Sequence, residues 1–223
     1  MGRRLGSYFI FIAVLASLGC GDSSSSSETA NIRVFQGSPD APHIDVLVDG
    51  KAVATNIQYG GNSGYFSVKA GSPNVQIVDR TGAPVLQQTV SIAGSASQTL
   101  LLTGRANSIE PVTLADGGTT ANGANGHVRV VNASPSLGQA DVYLVAPGAS
   151  IMGAQPITAA LDFDKDTGYQ LAGGSYEVFL TTPGTKNALL DTAPVSINSG
   201  QNQTIVVLDG VSGGFSFSQL IDQ

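Results

Sequence analysis

The sequence predicts an all-β protein, built as two tandem Ig-like or Greek-key β-sandwich domains behind a signal peptide and a flexible tether. Three observations predict this class. Apolar residues recur at every second position, as in Ile32 and Val34 or Ile44, Val46 and Val48, and no segment sustains a helical period. Turn-forming pairs interrupt these runs at short intervals, among them Asp49-Gly50, Gly60-Gly61, Ala70-Gly71, Thr81-Gly82, Gly94-Ser95 and Pro183-Gly184. The third observation is that the whole pattern occurs twice.

The repetition begins with Ile32-Arg33-Val34, Ser38-Pro39 and Asp45-Val46, matched by Val128-Arg129-Val130, Ser134-Pro135 and Asp141-Val142. Further on, Ser63-Gly64-Tyr65 answers Thr167-Gly168-Tyr169, Ala70-Gly71 answers Ala172-Gly173, and Gln98-Thr99-Leu100 answers Gln203-Thr204-Ile205. The spacing between partners grows along the chain, which places a net insertion in the second copy, most simply at Ala146–Gln155. Residues 116–126 contain nothing apolar larger than alanine and are rich in glycine, so they read as a linker. The expected domains are therefore 31–116 and 127–223, joined by 117–126. Strands are expected at Tyr65–Val68, Val75–Val78, Val85–Ile92 and Thr99–Thr103, then at Val128–Val131, Val142–Val145, Tyr176–Leu180, Val195–Ile197 and Thr204–Leu208. A last strand is expected at Phe215–Phe217.

Ahead of the first copy, Arg3 and Arg4 precede an apolar stretch that is densest from Tyr8 to Leu15 and ends at Ala16-Ser17-Leu18-Gly19-Cys20. This is the layout of a secretory signal peptide over residues 1–19. Polar residues arrive too early for a spanning helix, which needs about 20 apolar positions. Cys20 is the only cysteine, so no disulfide forms within the chain. A lone cysteine after a small residue resembles the lipobox of bacterial lipoproteins, although Ser17 stands where that motif usually has Leu. The resemblance implies a diacylglyceryl group on the Cys20 thiol and anchorage in a membrane. Gly21 rather than aspartate after the cysteine implies sorting to an outer membrane. Residues 20–30, dominated by Ser23–Ser27, read as a tether too polar to bury a core.

A chain beginning at Cys20 carries eight basic and sixteen acidic residues. Such a surface gives no electrostatic attraction to nucleic acid or anionic lipid. The membrane contact is thus expected through the lipid alone, with an envelope protein or glycan as the remaining partner class.

Ile32-Arg33-Val34-Phe35-Gln36-Gly37-Ser38-Pro39-Asp40-Ala41-Pro42, followed by Asp45-Val46-Leu47-Val48-Asp49-Gly50, is similar to domain-of-unknown-function family 4397. Val128–Pro135, Asp141-Val142-Tyr143 and Ala172–Val178 repeat the likeness. The family's usual histidine after the first strand is Gln36 in one copy and Asn132 in the other, so any role for it is not carried over. The resemblance implies a β-sandwich and an extracytoplasmic life, and no activity.

Three constellations invite chemistry. Gly210-Val211-Ser212-Gly213-Gly214 fits the G-x-S-x-G of a hydrolase nucleophile, but that elbow needs a strand–turn–helix setting and a later histidine, and none follows. A glycine-rich turn is the plainer reading, and a hydrolase is the third-ranked function. Asp162, Asp164 and Asp166 alternate as in a calcium loop, against which stands a solvated acidic turn; glycine is seventh instead of sixth, and no glutamate stands twelfth. They carry a calcium- or carbohydrate-dependent adhesion module as the alternative function. Asp40, His43, Asp45 and Asp49 cluster in sequence, yet a turn role explains Asp40 and Asp49. His43 and His127, one per copy, assemble no triad or zinc set. The expected function is a non-catalytic, membrane-anchored envelope module.

Overall fold

A computed structural model describes residues 28–117 and 123–223. The expected signal peptide, Cys20, most of the tether and linker residues 118–122 lie outside the described residues. Among the described residues there is no helix, and seventeen strands form four sheets. The chain is all-β.

The first half runs β1 (Thr29–Gln36), β2 (Ile44–Val48), β3 (Lys51–Ile57), β4 (Asn62–Lys69), β5 (Asn74–Asp79), β6 (Pro84–Thr89), β7 (Ser97–Arg105) and β8 (Ser108–Ala115). The second runs β9 (Asn125–Asn132), β10 (Ala140–Val145), β11 (Thr158–Leu161), β12 (Asp166–Ala172) and β13 (Gly174–Thr181). It ends with β14 (Ala188–Asp191), β15 (Val195–Ile197), β16 (Asn202–Asp209) and β17 (Phe215–Asp222). One sheet of each half has the same order, β4-β1-β7-β8 and β12-β9-β16-β17. The other sheets are β3-β2-β5-β6 and β11-β10-β13-β14, with β15 also on β13.

In both halves the first strand pairs in parallel with the strand that starts the last hairpin, β1 with β7 and β9 with β16. Parallel neighbours need a long crossover, and here the whole opposite sheet is traversed between them. Strands β3, β8 and β14 carry no strong apolar run because each is mostly exposed at a sheet edge. The run expected over Val85–Ile92 pairs only to Thr89, after which Ile92 makes a single bridge to Gly71.

Hairpin β2–β3 turns on Asp49 and Gly50, both at positive φ (49° and 79°), the two-residue geometry that matches strand twist. Its counterpart β10–β11 is separated by residues 146–157, closed on itself by Ala149 N donating to Ala146 O and Ala154 N to Ile151 O.

Three apolar layers separate the four sheets. Ile32, Val34, Leu100 and Leu102 from β1 and β7 pack with Ile44, Val46, Val75 and Ile77 from the opposite sheet. Val128, Val130, Ile205 and Val207 do the same with Val142, Val178 and Leu180. Between the halves, Phe35, Leu101 and Leu114 meet Val131, Ala133, Val206, Leu208 and Leu220. The inner strands β7 and β16 are therefore buried on both faces, which is why Leu100-Leu101-Leu102 and Ile205-Val206-Val207-Leu208 are unbroken apolar runs.

Candidate functional site

The seam between the halves is polar at both ends. At one end stand Arg33 and Arg129, each on the seam-facing side of the first strand of its half. Charge at such depth is tolerated only when paired. Arg33 Nε donates to Thr99 Oγ1 at 2.9 Å, Nη1 to Ile221 O at 2.8 Å and Nη2 to Asp222 Oδ1 at 2.6 Å. Arg129 repeats the pattern with Thr204 Oγ1 at 3.0 Å, Ala115 O at 2.8 Å and Asp116 Oδ1 at 2.7 Å. Each arginine thus holds a threonine of its own half and a carbonyl and carboxylate of the other. The Asp116 side chain is fully buried, and that of Asp222 is 2% exposed. The threonines complete the set: Thr99 donates to Asp116 Oδ2 and Thr204 to Asp222 Oδ2, both at 2.6 Å.

The two arginines differ in what lies across from them. Opposite Arg33 on β4 is Tyr65, whose ring centre is 4.5 Å from the guanidinium carbon and whose hydroxyl donates to Asp116 Oδ2 at 2.7 Å. Burial, first, and the Asp116 hydrogen bond and charge, second, push the Tyr65 hydroxyl pKa far up. Opposite Arg129 on β12 is Gly168. The pairing of Tyr65 with Tyr169 expected from the repeat is off by one place. A bulge between Arg33 and Phe35 gives β4 one extra residue, so Tyr65 faces the seam while Tyr169 faces its own core, as Phe66 does. One residue of slip exchanges the faces of a strand.

Where Tyr65 has no counterpart, a pocket of about 430 Å³ opens, lined by Arg129, Asp116, Asp222, His127, Asp166 and Gly168. A Cβ on Gly168 would stand 2.6 Å from His127 Nε2, so the imidazole lies over the glycine. Burial, chiefly, and the nearby Arg129 charge lower the His127 pKa, against the Asp222 and Asp166 charges that raise it.

At the other end of the seam the ion pair has no mirror, although Ser218 of the second half donates to Gly60 O at 3.2 Å. Tyr59, between β3 and β4, donates to Asp209 O at 2.8 Å, and Arg105 Nη2 donates to Ser136 Oγ at 3.0 Å with Asp209 Oδ2 at 3.7 Å. Burial, with the Asp209 charge, pushes the Tyr59 hydroxyl up to about 12. Asp209 also accepts from Ser134 Oγ and, at 2.9 Å, from Ser136 Oγ, so the repeated Ser-Pro of the second half anchors to a carboxylate. In the first half, Ser38 Oγ is buried without a partner, and glycine (Gly104) stands at the position matching Asp209.

Gln36 and Asn132, at matching places at the end of the first strand of each half, are buried loop anchors. Gln36 Oε1 accepts from Ser38 N at 3.1 Å, and Asn132 Oδ1 from Ser134 N at 3.3 Å while its amide donates to Gly138 O at 2.7 Å.

The aspartates singled out for calcium are not brought together. Asp162 Oδ1 accepts from Gln139 at 2.7 Å, Asp164 leans towards Thr103 of the other half, and Asp166 lines the seam pocket. Burial raises the Asp164 pKa. Among the described residues no three His, Cys, Asp or Glu side chains are placed to hold a metal ion. The second cluster does not converge as a set: Asp40 accepts from Ala106 N and Asp49 from Asn74 N, while Asp45 and His43 both meet Asn56, at its N and its Oδ1. Gly210–Gly214 is a hairpin turn between β16 and β17, closed by Gly210 N donating to Gly214 O at 2.8 Å, and Ser212 sits in it.

Sequence reasoning missed the arginine–aspartate lock. The signal was present: Arg33 and Arg129 interrupt apolar strands at matching places, and Leu114-Ala115-Asp116 matches Leu220-Ile221-Asp222.

With this geometry in view, comparison with known proteins adds a family and no activity. No curated protein matches the chain. Among solved structures it is similar to the crystal structure of a DUF3823 family protein from Bacteroides ovatus. Identity is 11%, over 76% of this chain and 98% of that one, with a TM-score of 0.24. The family described as "Domain of unknown function (DUF4397)" matches residues 30–143, a little over half of the chain, through all of the first half and into β10. The chain belongs to the DUF4397 family.

Proposed function

We propose that the protein is a non-catalytic envelope lipoprotein, whose two halves descend from one duplicated family domain and serve as a single rigid binding or structural body. In this reading the signal peptide ends at Gly19, Cys20 carries the lipid, the serine tether spans to Thr29, and the anchor lies in an outer membrane. The anchor rests on the sequence of residues 3–21. The rigid-body role rests on one observation, the reciprocal lock of Arg33 with Asp222 and Arg129 with Asp116. A chain that buries four charges to join its halves, next to an apolar seam, behaves mechanically as one piece and presents its outer loops in fixed relation. The ligand of such a body is an envelope protein or polymer.

Mass spectrometry of the mature N-terminus, with membrane fractionation, tests the anchor. The expected result is an acylated Cys20 and membrane-bound protein; a free thiol on protein found in the soluble fraction overturns it. Cross-linking in intact cells tests the second part, where a specific envelope partner is expected.

A further inference from the structure

We propose that the seam pocket beside Arg129 binds a phenol ring, in the position that Tyr65 fills for Arg33. This goes beyond the envelope reading and does not depend on the anchor.

The protein supplies its own template. Arg33 and Arg129 make the same hydrogen bonds to matching threonines, carbonyls and aspartates. Tyr65 and Gly168 are their direct cross-strand neighbours, and directly opposed residues project from the same face of a sheet. In the first half the tyrosine ring covers the guanidinium face, a favourable cation–π arrangement, and forms one wall of the surface depression there. In the second half the His127 imidazole lies over Gly168 where a ring would start, and the pocket beside it reaches Arg129, Asp222 and Gly168.

The carboxylates show the same difference. Asp116 accepts from Arg129, Thr99 and the Tyr65 hydroxyl. Asp222 accepts from Arg33 and Thr204 at 2.6 Å each, with Arg129 Nη2 farther off at 3.4 Å. A carboxylate has room for about four donors. A phenol hydroxyl donating to Asp222 would complete the set as Tyr65 completes Asp116. An aromatic ring without a donor would lack that hydrogen bond, and a second carboxylate would be repelled by Asp116, Asp166 and Asp222. The ring shares the pocket with His127, which must swing from its place over Gly168.

The chemistry fits a free phenol or a tyrosine side chain of a partner polypeptide, and the test separates them. The full-length 15N-labelled protein is titrated with p-cresol, with the peptide Gly-Tyr-Gly, and with toluene, following the backbone amides of His127, Gly168 and Tyr65. Saturable shifts at His127 and Gly168 with either phenol, and none at Tyr65, are expected. Toluene should bind at least about tenfold more weakly, the loss of one hydrogen bond to a charged group. Tighter binding of the peptide than of p-cresol assigns the site to a polypeptide tyrosine, and the reverse to a small phenol. The double variant Gly168→Tyr/His127→Asn, which supplies the ring internally, should abolish p-cresol binding. Equal response to toluene, shifts that map elsewhere, or no saturable response in the wild-type protein would overturn the proposal, and the last needs no variant to fold.

Discussion

The two ends of the seam solve the same problem differently. At the arginine end the ion pairs mirror each other: Arg33 reaches Asp222 and Arg129 reaches Asp116. At the Asp209 end, Tyr59 and Arg105 of the first half reach Asp209, while Gly104 stands where a mirrored acid would be and Gly210 where a mirrored arginine would be, so this ion pair has no mirror. The mirrored end is buried, while the Arg105 side chain is 51% exposed. The difference teaches where the joint is held. A desolvated charge left alone is costly, so the mirrored end punishes loss of any member, whereas a half-exposed pair is screened by water and contributes little.

The largest break is expected from Asp116→Ala, which strips a fully buried carboxylate from Arg129, Thr99 and Tyr65 at once. Urea unfolding should lose about 3–5 kcal/mol, and adding Arg129→Met should recover part of it, because the orphaned charge goes too. An additive double variant would mean that the two residues are not coupled. At the other end, Asp209→Ala removes the acceptor of Ser134 and Ser136 and should cost about 1–3 kcal/mol. Arg105→Ala should cost less than about 1 kcal/mol. A ranking with Arg105 above Asp116 would reverse the comparison.

The smallest effect is one of pH. His127 has its pKa held below the ordinary 6.5, so the unfolded chain takes up the proton first as pH falls. Stability contributed by the neutral imidazole is full above about pH 6.5 and declines below it, until the folded pKa is reached. His127→Asn should flatten the stability curve just below pH 6.5, read from thermal melts at half-unit steps. An unchanged slope in the variant would place the titration elsewhere.

How much of this was legible beforehand depends on distance along the chain. Strands, turns and the repetition are local patterns, and Asp49-Gly50 forms the two-residue turn its composition announces. The parallel pairing of β1 with β7 is not local, and nothing in Ile32–Phe35 specifies which later strand lies beside it. The Tyr65–Tyr169 match failed for a different reason. Sequence identity aligned the letters, while a bulge shifted the register, and a β-strand converts one place of shift into the opposite face. The lock was hidden because its partners belong to different halves. Arg33 in an apolar strand shows that an acid is needed, but its acid is 189 positions away.

The crossed pairing has a consequence for either half taken on its own. One half alone keeps one arginine and one aspartate of the lock, with an uncovered apolar face between them. Two identical halves facing each other about a twofold axis would satisfy both charges in the same way, as in any self-complementary dimer. Joined in one chain, each half always meets a single partner surface that carries the acid its own arginine needs.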